Sequence, residues 1–247
     1  MDQSVTAVFP AVERDWISTL HAYRASDIKR SIFEIIVTAG PFVALWLATW
    51  AAFQVSFWLS LVVAIPAGAF LVRLFLIQHD CGHGAMFKKK ASNDWVGRVL
   101  GVFTMTPYDV WRKQHSIHHA THGNLDKRGM GDINIFTLQE YRALPFHKRF
   151  AYQLYRHPLV MFGLGPSFVF FLLYRYPSGL MRAGWIYWAS AMGTNLAIAA
   201  IAAAMMWLVG WQAFLLVHVP IVVIGATIGV WLFYVQHQFE DAFWEED

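Results

Sequence analysis

Four stretches of this chain are too long and too apolar to form the core of a water-soluble domain. They run from about Ile35 to Phe53, Val55 to Ile77, Trp185 to Leu208 and Ala213 to Val235. A helix needs about 20 apolar residues to cross a bilayer, and Arg73 is the one Asp, Glu, Lys or Arg inside the four stretches. The links near Gln54 and near Val209-Gly210-Trp211-Gln212 are very short, so the stretches pair as two helical hairpins. Charged residues make up 14% of the chain, against about 25% in a soluble domain. The expected class is an all-α integral membrane protein with four transmembrane helices.

A fifth apolar run, Leu159 to Tyr174, is shorter and carries Gly163, Gly165 and Pro166. Charge placement decides how it sits, because Lys and Arg favour the cytoplasmic side of short loops. Arg14, Arg24, Lys29 and Arg30 precede the first span, twelve basic residues lie between Lys88 and Arg156, and the hairpin tips have none. Were the fifth run to span, Arg175 and Arg182 would be exported and His237 would face away from the other His clusters. It is therefore expected to be interfacial or re-entrant, with the N-terminus, the middle loop and the C-terminus cytoplasmic. Met1 to Ser31 lacks the apolar segment of a secretory signal. Val12, Trp16, Leu20 and Tyr23 have the spacing of a surface-lying helix.

The chain holds eleven His and one Cys, which excludes a disulfide scaffold, a cysteine zinc site and an iron–sulfur ligand set. His79 and His83 stand four apart in His79-Asp80-Cys81-Gly82-His83, where the second span leaves the membrane and Gly84 supplies a stop. A second helix is expected to start at Thr106-Pro107-Tyr108-Asp109, a capping-box pattern with Pro in the first turn and Asp109 as a cap, and to stop at Gly123. Along it His115, His118 and His119 share a face with Trp111. Neutral imidazoles in such an arrangement are metal ligands, and His237 follows the fourth span at the same membrane face. Spacing alone does not separate iron from zinc or copper.

Asp80, Asp94, Asp109, Asp126 and Asp132 are the carboxylates near enough in sequence to orient these rings. His21, His147 and His157 read as ordinary interfacial residues, His122 as a neighbour rather than a ligand, and His218 as a solvated residue near the outer end of the fourth span. Lys88-Lys89-Lys90 suits lipid headgroups, Cys81 reads as packing, and Gly225 with Gly229 suggests close helix contact.

These residues resemble the membrane fatty acid desaturases, of the bacterial acyl-lipid type. H-D-C-G-H (79–83) is similar to that family's first histidine box and H-S-I-H-H (115–119) to its second; Trp111 to Ile133 and the segment FYVQHQFED (233–241) are also similar. The resemblance implies one desaturase domain over 1–247 in a bacterial inner membrane, with two iron ions and O2 as co-substrate. It implies His79, His83, His115, His118, His119 and His237 as iron ligands; of the nearby carboxylates, Asp80, Asp126 and Asp132 are the ones expected behind them. It further implies glycerolipid acyl chains as substrate and a ferredoxin or cytochrome as electron donor; nucleic acid is not an expected partner. The family's third box, H-x-x-H-H, lies beyond the segment matching His237, whereas this chain stops at Glu245-Glu246-Asp247. The expectation is a truncated product or incomplete reading frame, with too few ligands for two irons and no activity alone.

An unactivated C–H bond gives general base catalysis nothing to work on, so an oxidant made from O2 and metal is the sensible tool. A hydroxylase or ketolase could use similar boxes. A metal transporter with a His-rich loop would want ionisable ligands within its spans, and these offer only Arg73 and His218. A bis-His haem carrier would place single His residues on facing spans inside the bilayer.

Overall fold

The computed structural model describes residues 25–122 and 124–237. The surface helix expected near Val12, Trp16, Leu20 and Tyr23, the bystander His21, the stop at Gly123 and the end at Glu245-Glu246-Asp247 lie outside the described residues.

Helix α1 (Ile28–Val55) begins well before its apolar run because Asp27 caps it, accepting from the backbone N–H of Lys29 at 2.7 Å and of Arg30 at 3.2 Å. A single extended residue, Ser56, separates it from α2 (Phe57–Gly82), so the turn falls two residues beyond Gln54. Two shorter helices follow, α3 (Lys90–Phe103) and α4 (Tyr108–Thr121). Beyond a 3-10 turn at Leu125–Lys127 come α5 (Leu138–Ala143), α6 (Phe146–Arg156) and α7 (Gly165–Phe171). The second hairpin joins α8 (Trp185–Val209) to α9 (Trp211–His237) through Gly210 alone, at φ +86°. Glycine adopts that conformation without strain, which permits a one-residue turn.

Helices α1, α2, α8 and α9 are each long and apolar enough to cross a membrane. At 1.5 Å per residue they measure about 37–42 Å, longer than the hydrocarbon core of about 30 Å, so their ends emerge from it. The architecture is the expected all-α integral membrane fold with four spans in two hairpins. Helix α2 is central, packed along α1 and α9, whereas α8 is the least buried of the four. Gly68 makes the α2–α9 contact possible: a Cβ there would meet Ile224 Cγ2 at 2.7 Å and the Gly225 nitrogen at 3.0 Å. The close approach suggested by Gly225 and Gly229 therefore involves Gly225 and Gly68, while Gly229 faces open space. Arg73 is not a lone charge, because Glu34 of α1, just outside the first apolar run, pairs with it at 2.9 Å.

The fifth run is broken. A π-helical turn at Val160–Leu164 leads into α7 and a 3-10 turn at Leu173–Arg175, and the segment bends by 63° from α6. Pro166 has no N–H to offer the Phe162 carbonyl four residues back, and the Thr227 hydroxyl of α9 donates to it at 2.6 Å. Such satisfaction by a neighbouring span lets irregular backbone lie at membrane depth. The bend is that of a re-entrant loop or of a broken span.

No element was expected at 90–103, where α3 lies. It is a short amphipathic helix that leaves Trp95, Val99 and Phe103 exposed at four-residue spacing. Helix α6 does the same with Phe146, Phe150 and Leu154.

Candidate metal centre

Seven of the described His residues converge at the end of the bundle opposite the hairpin turns. His79 sits on the last turn of α2, and His83 caps that helix just before Gly84 at φ +71°. The four-residue step keeps both rings on one face.

Helix α4 does not start with a capping box. Pro107 stands at the N-cap rather than in the first turn, and no side chain caps the helix. The Thr106 hydroxyl donates instead to the Thr104 carbonyl at 3.0 Å. The Asp109 carboxylate is taken by Arg98, which donates from Nε at 2.9 Å and from Nη2 at 3.0 Å. The two-pronged, charge-assisted pair engages the carboxylate that a capping box would need. The helix ends at Thr121 with His122 as its C-cap.

The His residues of α4 divide between two groups. At about 100° per residue, His115 and His119 lie about 40° apart, whereas His118 is about 100° from His119. His115 and His119 accordingly join His79 and His83, while His118 joins His122 and His237. Within each group the candidate ligand nitrogens all lie within 4.8 Å of one another. His83 Nε2 stands 3.3 Å from His79 Nε2 and 3.1 Å from His115 Nε2, which is 3.0 Å from His119 Nε2. Trp111 stacks on His115 at 4.7 Å between ring centroids, beneath Gly82, where a Cβ would meet the indole at 2.8 Å.

Burial favours the neutral form of His83, His115 and His118. Burial and the neighbouring His79 and His119 push the His115 pKa down to about 3, and burial with the same neighbours lowers that of His83. Burial also lowers His118, against the pull of Asp132. Neutral imidazoles with converging nitrogens are the donor set that a divalent transition metal fits. Protons therefore oppose the folded arrangement. Between pH 6.5 and about 3 the unfolded chain binds more protons at His115 than the folded one does, so stability falls as pH falls through that window and is level above it. Denaturation of the metal-free chain in detergent is expected to follow this course; stability that rose on acidification would contradict it.

The second group has firm supports. The Asp132 carboxylate lies 2.5 Å from His118 Nδ1, the ring buried and the carboxylate mostly so. His237 Nδ1 donates to the Phe233 carbonyl at 2.7 Å. Asp80 is looser, exposed and 3.4 Å from His79 Nδ1. Asp126 is exposed in the 3-10 turn, its own N–H held by Asn124, and among the described residues its carboxylate touches no His.

Asp94 braces α3 and α4 instead of supporting a ring: it accepts from Lys90, Tyr108 and Arg112. His147 and His157 stand apart from both groups, and His218 accepts from Trp46 Nε1 at 3.4 Å inside the bundle. His122, expected to be a bystander, belongs to the second group. Seven imidazoles are thus brought together where six were counted. Gln78 was also missed: fully buried, it accepts from Thr104 Oγ1 at 2.5 Å and ties the turn before His79 to the start of α4. A glutamine at the end of an apolar run was the available signal.

A cleft of about 480 Å³ opens over the first group, lined by His83, His115 and His119 with Ile186 and Tyr187 from the start of α8.

The family model for fatty acid desaturases matches residues 56–247. A fatty acid desaturase of Bacillus subtilis is 45% identical over 92% of this chain and 64% of its own length. An sn-1 acyl-lipid omega-3 desaturase (ferredoxin) of Synechocystis is 31% identical over 50% of this chain and 33% of its own. An endoplasmic-reticulum acyl-lipid omega-3 desaturase (cytochrome b5) of Arabidopsis thaliana is 32% identical over 54% and 29%. The chain thus spans less than two thirds of the length of these curated relatives. No solved structure gave a significant match.

Proposed function

The chain belongs to the fatty acid desaturase family, and we propose that it introduces a double bond into acyl chains of membrane lipids, using O2, two irons and an external electron donor. The observation that carries this reading is the pair of imidazole groups at one end of a four-span bundle. His79, His83, His115 and His119 would hold one iron, and His118 and His237 would contribute to the other. When bound, the irons would supply the O2-dependent oxidising power that an unactivated C–H bond requires.

The overall change balances simply. Two C–H bonds on adjacent methylenes break and one C=C bond forms. The acyl chain gives two electrons and two protons, the donor two electrons and the solvent two protons, and together these reduce O2 to two waters. The protein's part is positioning. Asp132 fixes the proton of His118 on Nδ1 and so turns Nε2 toward the site, a common device behind metal-bound His. Asp80 leans on His79 in the same sense. The cleft beside Ile186 and Tyr187 offers a methylene a place next to His83, His115 and His119.

Lys88, Lys89, Lys90 and Lys113 are exposed around this end and would attract an acidic one-electron donor. The ferredoxin and cytochrome b5 named for the relatives support that kind of donor. The surplus of Lys and Arg at this end supports a cytoplasmic placement in a bacterial inner membrane.

Expression of the gene together with the coding sequence downstream of Asp247 in a desaturase-free bacterial host, followed by analysis of fatty acid methyl esters, tests the reading. New monounsaturated or further unsaturated chains are expected. Hydroxy or oxo acids would point to hydroxylase or ketolase chemistry, and unaltered chains in iron-loaded, reduced and aerated membranes would sink the reading.

A further inference from the structure

We propose that His122 is a metal ligand, joining His118 and His237 as a third imidazole on the second divalent ion. The inference rests on the two-metal reading above and adds to it a residue outside both histidine boxes.

The geometry is specific. His118 is almost fully buried with its Nδ1 engaged by Asp132, and His237 has its Nδ1 engaged by the Phe233 carbonyl. Each therefore has only Nε2 left, and these two atoms face each other at 3.1 Å. The His122 ring lies 5.1 Å from that of His118 and 4.7 Å from that of His237, with the three candidate ligand atoms within 4.8 Å of one another.

His122 follows His118 by four residues, the same step that relates His79 to His83 and His115 to His119 in the first group. The backbone holds it there. Its N–H donates to the His118 carbonyl at 2.7 Å, and its extended conformation then carries the chain off the helix. Packing does not account for an imidazole at this position, because His122 is exposed. Three protein nitrogens with one side open to solvent match a metal site that keeps a free position.

Co(II) is the probe. The purified full chain in detergent is titrated, with bound metal counted by elemental analysis and the ligand field followed by visible absorption. Two Co(II) per chain are expected for the unmutated protein. His122→Ala is expected to weaken one of the two by about tenfold or more, since removing even an outer partner of a metal ligand costs roughly 10–100-fold in affinity. Its absorption band should shift while that of the other ion stays unchanged. His119→Ala should do the reverse, weakening the first site and sparing the second.

As an exposed residue, His122 can be replaced without loss of packing, which an unchanged melting temperature would check. Two ions bound with equal affinity and identical spectra in H122A and the unmutated protein would overturn the assignment of His122 while leaving the two-metal reading intact. Fewer than two ions in the unmutated protein would overturn both.

Discussion

His115→Ala is expected to empty the four-imidazole group of metal and to cut lipid desaturation by about 10³-fold, equivalent to about 4 kcal/mol of barrier. His115 lies in the middle of that group. Its Nε2 is within 3.1 Å of His83 Nε2 and 3.0 Å of His119 Nε2, and its ring lies flat on Trp111. Alanine removes the central donor and leaves three imidazoles in place of four. The measurement is iron per chain together with unsaturated acyl chains formed in membranes. His147→Ala, an exposed imidazole on α6 apart from both groups, should leave both quantities unchanged. Full metal content and turnover in H115A would show that the four rings do not act as one site.

The second large effect is expected at a residue that touches neither imidazole group. Asp94→Leu should lower stability by about 3 kcal/mol and weaken metal binding at the first group. Asp94 is nearly buried and accepts from Lys90 Nζ at 2.5 Å, from the Tyr108 hydroxyl at 3.3 Å and from Arg112 Nη1. Burial works against its charge, yet the hydrogen bond from Lys90 and the charge of Arg112 hold its pKa below the usual carboxylate range.

The Tyr108 hydroxyl also reaches the Cys81 carbonyl at 3.0 Å, and the tyrosine ring lies over Gly97, where a Cβ would collide with it. One carboxylate therefore ties the end of α2 to α3 and α4, the elements that present His79, His83, His115 and His119. Breaking a buried pair costs about 3–5 kcal/mol, because the partner charge is left uncompensated; Arg112 is about a third exposed, which favours the lower value. Thermal unfolding and Co(II) titration measure the two effects. Asp94→Leu combined with Arg112→Leu should cost less than the sum of the single changes, since no unpaired charge remains. Strict additivity, or a D94L protein that melts and binds metal normally, would remove this brace from the account.

Periodicity and apolar length made the spans legible, and the four-residue steps of 79/83 and 115/119 made their pairing predictable. The position of the start of α4 was legible, but its capping was not. Thr106-Pro107-Tyr108-Asp109 has the residues of a capping box, but Asp109 pairs with Arg98, eleven positions earlier in the chain. Helix α3 was missed because an amphipathic helix of 14 residues with two glycines carries little signal of its own. Its exposed Trp95, Val99 and Phe103 make sense only beside a membrane surface.

By itself, the sequence determined that the chain crosses a membrane as two hairpins and that its His residues gather at one face. Both follow from local rules: the apolar length needed to cross lipid, and the angular step of a helix. Only the tertiary structure decided how the imidazoles are shared. His118 leaves its neighbours on α4 to join His122 and His237 because α9 ends beside it and Asp132 takes its other nitrogen. That division depends on contacts between residues up to 119 positions apart, and no local pattern encodes which face of a helix will meet which distant partner.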